Sequence, residues 1–141
     1  MTNPDLALDY FIRAQKRLKA VAVLFEQAAF ADVVRESQEV VELVLKAVLR
    51  RFGIAVPFSH DPSQSFIDNA HRFPPDLEAR IPRFTEISRR LRRDRELAFY
   101  GSEDVTPSSF YNQADAVEAK GMAEEIVNAA AAWLTDAPGG T

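Results

Sequence analysis

Five arginines fall within seven positions, Arg89, Arg90, Arg92, Arg93 and Arg95, and they run into the aromatic segment Phe99-Tyr100-Gly101. Clustered guanidinium groups suit phosphate chemistry, because each is permanently charged, planar and able to give two parallel hydrogen bonds to one anion. On a helix, at about 100° per residue, the five cannot all face one ligand. Arg89, Arg92 and Arg93 share one side, with Arg90 and Arg95 to either side of them. Phe84, Ile87, Leu91 and Ala98 define the inward face, and Arg95 lies nearest to it. A solvated face accounts for Arg89, Arg90 and Arg93, whereas an arginine that borders a core needs a partner or a ligand. Arg95 and Arg92 are therefore the candidate phosphate contacts.

Glu42 and Lys46 stand four apart in the order that favours a helical ion pair. A surface pair is the expected reading; the alternative is that Glu42, at the edge of an apolar stripe, borders the core or an interface. His60, within Ser59-His60-Asp61-Pro62, is expected to order a loop or helix entry. It lies eleven positions from His71 with proline between them, so no shared metal site is expected. The chain has no cysteine, which removes disulfides and thiolate metal sites. No nucleophilic triad, GxGxxG or phosphate-binding glycine loop is visible, and no cofactor is expected.

The 141 residues, 47% of them hydrophobic, suit one domain with a genuine core. We expect that domain over 1–136, followed by a disordered tail at 137–141. The net charge of −4 is uneven: residues 1–102 carry a surplus of two positive charges, and residues 103–141 one lysine against seven acids. A local arginine cluster can still hold a phosphate on a globally acidic chain. No apolar run approaches the roughly 20 residues needed to cross a bilayer, and the first residues lack a signal-peptide pattern. Together with the lack of cysteine, this leads us to expect a cytoplasmic protein.

The elements that must position these side chains are helical. Asn3-Pro4 suits a helix start, and Tyr10, Ala14, Leu18, Val21 and Phe25 form the inward stripe of a helix over 5–28. Val33, Ser37, Val40, Val41, Val44, Leu45, Val48, Leu49 and Phe52 predict a second over 30–52, ended by Gly53. A third is expected at 62–72, a fourth at 82–100 and a last at 113–135, capped by Asn112 and turning Ala116, Met122, Ile126, Ala130 and Trp133 inward. Residues 101–112 read as a polar loop from which Phe110 and Tyr111 could dock. The expected architecture is an all-α, antiparallel up-and-down bundle of four to five helices.

Three segments resemble the HEPN domain family of small helical bundles. They are Ser37 to Leu49, similar to its second helix with a Glu-x-x-x-Lys-Ala core; Pro57-Phe58-Ser59-His60-Asp61, similar to a His-Asp that often follows it; and Arg95 to Gly101, in the place of the Arg-x4-6-His motif. The resemblance implies a metal-independent ribonuclease site in which arginine and histidine from two subunits meet at a dimer interface. Here Arg95 matches the arginine, but Tyr100 stands in the histidine position. A tyrosine of ordinary acidity is a poor general base at neutral pH. Arg95 and Tyr100 are thus catalytic candidates of a degenerate motif. The resemblance implies a non-catalytic module that binds a nucleotide, RNA or a protein, forms a homodimer and works beside a nucleotidyltransferase-type partner. A toxin–antitoxin ribonuclease using Arg95 in an altered site is the alternative.

Overall fold

The fold is taken from a computed structural model whose described residues are 4–56, 61–100 and 106–135; of residues 4, 5 and 94–100 only the backbone is described. The helices run α1 Pro4–Glu26, α2 Phe30–Arg51, α3 Pro62–Asp68, a 3-10 turn Ala70–Arg72, α4 Pro75–Glu78, α5 Ile81–Tyr100, α6 Pro107–Phe110 and α7 Gln113–Leu134. The described residues contain no strand. Four long helices build the expected all-α bundle, and α3, α4 and α6 are short additions between them.

Helix α2 is the central element and packs against α1, α5 and α7. Its sequence dictates this, because the apolar positions cover too wide an arc for a one-sided surface helix: Val33, Val40, Val44, Leu45, Ala47, Val48 and Leu49 are all fully buried. Fully burying one such side chain stabilises the fold by about 1.5–3 kcal/mol, so a helix with this many inward residues must be covered by several others. Phe11 from α1, Phe84, Ile87 and Leu91 from α5, and Ala123, Ile126 and Ala130 from α7 supply that cover. Phe66 of α3 closes one end, stacked on Phe73 at 5.4 Å and set edge-on to Phe84 at 6.3 Å.

Helices α1 and α2 end in the same way. After α1 the Ala28 N–H donates to the Phe25 carbonyl at 3.0 Å and the Ala29 N–H to that of Leu24 at 2.9 Å. After α2 the Gly53 N–H donates to Arg50 at 3.0 Å and the Ile54 N–H to Leu49 at 2.9 Å. This paired closure requires one left-handed residue, which is Ala28 at φ 58° in the first case and Gly53 at φ 83° in the second. Gly53 thus fills the role its position suggests. Ala28 does the same work with a Cβ that crowds its own backbone.

Several expectations are corrected. Ala14 and Val21 of the expected α1 stripe are buried and are joined by Ala7 and Phe11, while Tyr10, Leu18 and Phe25 are half-buried against the core. The third helix ends at Asp68, and residues 70–72 are a 3-10 turn. The segment expected as loop contains α6, a single turn with Pro107 in its first position and Thr106 as cap. Tyr111 docks and is buried, whereas Phe110 stays 49% exposed. Trp133 sits at the core's edge, where its Nε1–H donates to Asp76 at 3.2 Å. The Asn112 cap is present, with Asp115 returning the bond to the Asn112 N–H at 2.9 Å. Residues 137–141 lie outside the described residues.

The two helix ends give opposite predictions. Ala28→Gly should stabilise the fold by about 1 kcal/mol by relieving left-handed strain, and Gly53→Ala should destabilise it by about 1 kcal/mol. Chemical denaturation midpoints of the two variants should move in opposite directions; a shift of both in the same direction would contradict the assignment.

Candidate functional site

One face of α2 remains open along part of its length. Glu39, Glu42, Leu43, Lys46 and Arg50 follow one another at spacings of three, one, three and four, which keeps them on one side of the helix. On α1, Tyr10, Arg13 and Arg17 follow the same rule. These two rows, with Val56 and with Arg92 of α5, line a cleft of about 600 Å³. Five cations therefore surround a floor that holds Tyr10, Leu43 and Val56, and two carboxylates stand among them.

Glu42 ties the cleft together. Its side chain is 15% exposed, and it meets Arg92, where the guanidinium Nη1 donates to Oε1, and Lys46, whose Nζ lies 3.4 Å from Oε2. Lys46 is 13% and Arg92 33% exposed. The Glu42–Lys46 pair is thus partly buried and joined by a third member from another helix, so the expected surface pair is corrected to the alternative reading, with Glu42 bordering core and cleft. Removing either partner from a group this desolvated costs far more than losing an exposed pair. Near the cleft, Arg17 Nη1 lies 3.1 Å from Glu36 Oε1, and the Arg50 guanidinium lies 6.0 Å from the centre of the Tyr10 ring.

The other arginines of the run have different neighbours. Arg90 forms a forked pair with Glu118 of α7, at 2.9 and 2.5 Å. Arg89 donates to Gln64 of α3 at 3.3 Å. Arg93 is exposed. Six residues before the run, Arg83 grips Glu125 of α7 at 3.0 and 2.9 Å and also Glu86. Those hydrogen bonds from Arg83 hold the Glu125 carboxyl below its ordinary range against the opposing effect of burial. The sequence therefore picked out Arg92, Glu42 and Lys46, and the structure brings the three together. It gave no sign of Tyr10, Arg13, Arg17, Glu39 or Arg50 as one site, although their helical spacing on two adjacent helices was a signal. The side chains of Arg95 and Tyr100, and the whole of His60, lie outside the described residues.

Behind Arg92, Asp61 caps α3. It accepts from the Ser63 N–H at 3.0 Å and from the Ser63 hydroxyl at 2.6 Å, with the Ser88 hydroxyl of α5 at 3.5 Å. Burial is the largest influence on this carboxyl and pushes its pKa up. The two Ser63 hydrogen bonds, then the charges of Arg92 and Arg89, together outweigh it, so the net shift is downward.

No group of three or more His, Asp or Glu side chains among the described residues could hold a metal ion. No described helix is long and apolar enough to cross a membrane. Chemically, the cleft can hold an anion between cations from three helices and set an uncharged planar group against its apolar floor. A family model described as HEPN domain matches residues 7–133. No curated protein and no solved structure gave a significant match.

Because the folded Asp61 is more acidic than the unfolded, its charge contributes stability that is present above the ordinary carboxylate range and lost as pH falls through the folded value. Asp61→Asn should therefore be less stable than the parent at neutral pH. The difference should shrink as pH drops below about 4. Thermal unfolding of both proteins across that range checks this, and a difference that stays constant down to about pH 2 would exclude it.

Proposed function

The chain belongs to the HEPN domain family, and on that premise we propose that it is a non-catalytic binding module that holds the phosphate of a nucleotide or of RNA in the cleft between α1, α2 and α5. The observation that carries this reading is the convergence of Arg13, Arg17, Lys46, Arg50 and Arg92 on one cleft beside Tyr10. Cations around an aromatic ring are what a phosphate joined to a planar base requires. Family membership supports an RNA-related role.

Binding is favoured over cleavage by the side chains at hand. General acid–base work near neutral pH needs a group that titrates there, and histidine is the usual one. Of the two histidines, His71 is exposed on the 3-10 turn and lines no part of the cleft, and His60 lies outside the described residues. No histidine follows His71 in the sequence, and Tyr100 occupies the place the family motif gives to one.

The proposal includes a homodimer and, as the family resemblance implies, a nucleotidyltransferase-type protein partner. Within one chain α1, α5 and α7 already cover α2. A second copy approaching α2 would therefore meet the strip from Glu39 to Arg50 and sit over the cleft. Such a pairing would let both copies contribute to one ligand.

Arg92→Ala should weaken binding of a short oligoribonucleotide about tenfold, as expected for a lost charged hydrogen bond. Arg13→Ala at the rim should weaken it less, and added salt should weaken both. Titration calorimetry reads these affinities, and light scattering reads the dimer. Incubation with RNA in EDTA should leave the RNA intact; cleavage that disappears in Arg95→Ala would establish the ribonuclease alternative in place of binding.

A further inference from the structure

Glu42 places a carboxylate where a bound anion would be expected. Its two oxygens face Arg92 of α5 and Lys46 of α2, the two cations least exposed in the cleft for which a partner is seen. A ligand phosphate that used both cations would have to take the position this carboxylate holds. We propose that Glu42 is a built-in competitor for the phosphate position, and that it makes the cleft select a terminal phosphate, a dianionic monoester, over the monoanionic diester of an internal RNA linkage. The inference rests on the phosphate-binding function proposed above and specifies its ligand.

The selection follows from charge and tethering. An internal diester carries one negative charge, as Glu42 does, so exchanging one for the other gains little electrostatically. The diester must also give up translational and rotational freedom to bind, whereas Glu42 is already attached to the site. A terminal phosphate carries about −1.5 to −2 charges at neutral pH and offers three acceptor oxygens instead of two. It can bridge Arg92 and Lys46 and still face a third cation. Arg13 stands on the opposite wall with no ion pair among the described residues, and Arg50 lies on the same face of α2 as Lys46. Glu39, one turn before Glu42, adds a second carboxylate to the lining and raises the charge an incoming anion must bring.

The test uses the full chain and titration calorimetry with three probes: a short oligoribonucleotide with a 5′-phosphate, the same oligonucleotide with a 5′-hydroxyl, and AMP. The parent protein should bind the 5′-phosphorylated strand about tenfold or more tighter than the hydroxyl strand, the order expected from one added charge near two cations at a protein surface. AMP matching the phosphorylated strand would identify a free nucleotide as the source of the terminal phosphate; a tighter strand would identify an RNA end. In Glu42→Gln both strands should bind tighter, the hydroxyl strand should gain most, and the gap should narrow toward what the added charge alone provides. Glu42→Asp, which withdraws the carboxylate by one methylene, should narrow it and serves if the glutamine variant fails to fold. Equal affinities in the parent, an unchanged gap in the variants, or weaker binding of both strands in Glu42→Gln would each overturn the inference. If binding is lost in Arg92→Ala while the gap ignores Glu42, the phosphate-binding function stands and this inference alone falls. If no probe binds the parent or any variant, both fall together.

Discussion

Helix α2 buries side chains against α1, α5 and α7 at once, and the apolar surface it removes from water fixes where those helices lie. Exposing the face that carries Val33, Val40, Val44, Leu45, Val48 and Leu49 to water would cost several kcal/mol. The price of so central a helix is that a polar residue on its covered faces is cut off from water. Ser37 and Gln38 are fully buried on α2, and hydrogen-bond partners for the Ser37 hydroxyl and the Gln38 amide are not found among the described residues. Glu42 is one turn beyond Gln38, and it is met by Arg92.

The tie between Glu42 and Arg92 consequently joins fold to function. Arg92 reaches α2 because Phe84, Ile87 and Leu91 seat α5 against the core, and the rotation of the helix then brings position 92 to the cleft's edge. Lys46, one turn along α2, shares the same carboxylate. A carboxylate between two cations at a half-buried position satisfies the lone chain, yet its desolvation leaves little net stability to lose when another anion takes its place. Under the proposed function, that balance would let one arrangement serve both an empty and an occupied cleft.

Much of this was legible in the sequence, and the reason differs from element to element. The stripe from Val33 to Leu49, Gly53 after it and Asn112 before α7 each announce a local preference that the fold keeps. Ala14 and Val21 are buried as the stripe predicts, but Ala7 and Phe11 share that face and carry no sign of it beside Tyr10, since a tyrosine is equally suited to a boundary with one edge wet. Helix α6 is hidden by its Thr-Pro-Ser-Ser composition, which reads as loop although a threonine cap and a proline in the first position are also a helix start. For the site, Glu42, Lys46 and Arg92 were each visible as residues of interest. Their meeting was not, since fifty positions separate Glu42 from Arg92 and no local pattern records a tertiary contact. The cations of α1 give no sign of a site in the sequence, because a row such as Arg13 and Arg17 becomes a wall only when a second helix stands opposite.

The uneven charge of the chain has a structural reason that bears directly on an anionic ligand. Two of the acids concentrated after residue 103 meet outer arginines of α5, Glu118 pairing with Arg90 and Glu125 with Arg83. These pairs lie on the side of α5 that faces α7, so the arginines there are neutralised. Arg92, rotated toward α2, instead joins Lys46, Arg50, Arg13 and Arg17 around two carboxylates, and the cleft keeps a positive surplus within a protein of net charge −4. Surface charges separated by more than about 8 Å are largely screened at physiological salt, so an approaching phosphate responds mainly to the nearby surplus and little to the distant acids. The acidic total therefore does not oppose anion binding at this cleft, and the two arginines of α5 that face α7 are taken up by Glu118 and Glu125.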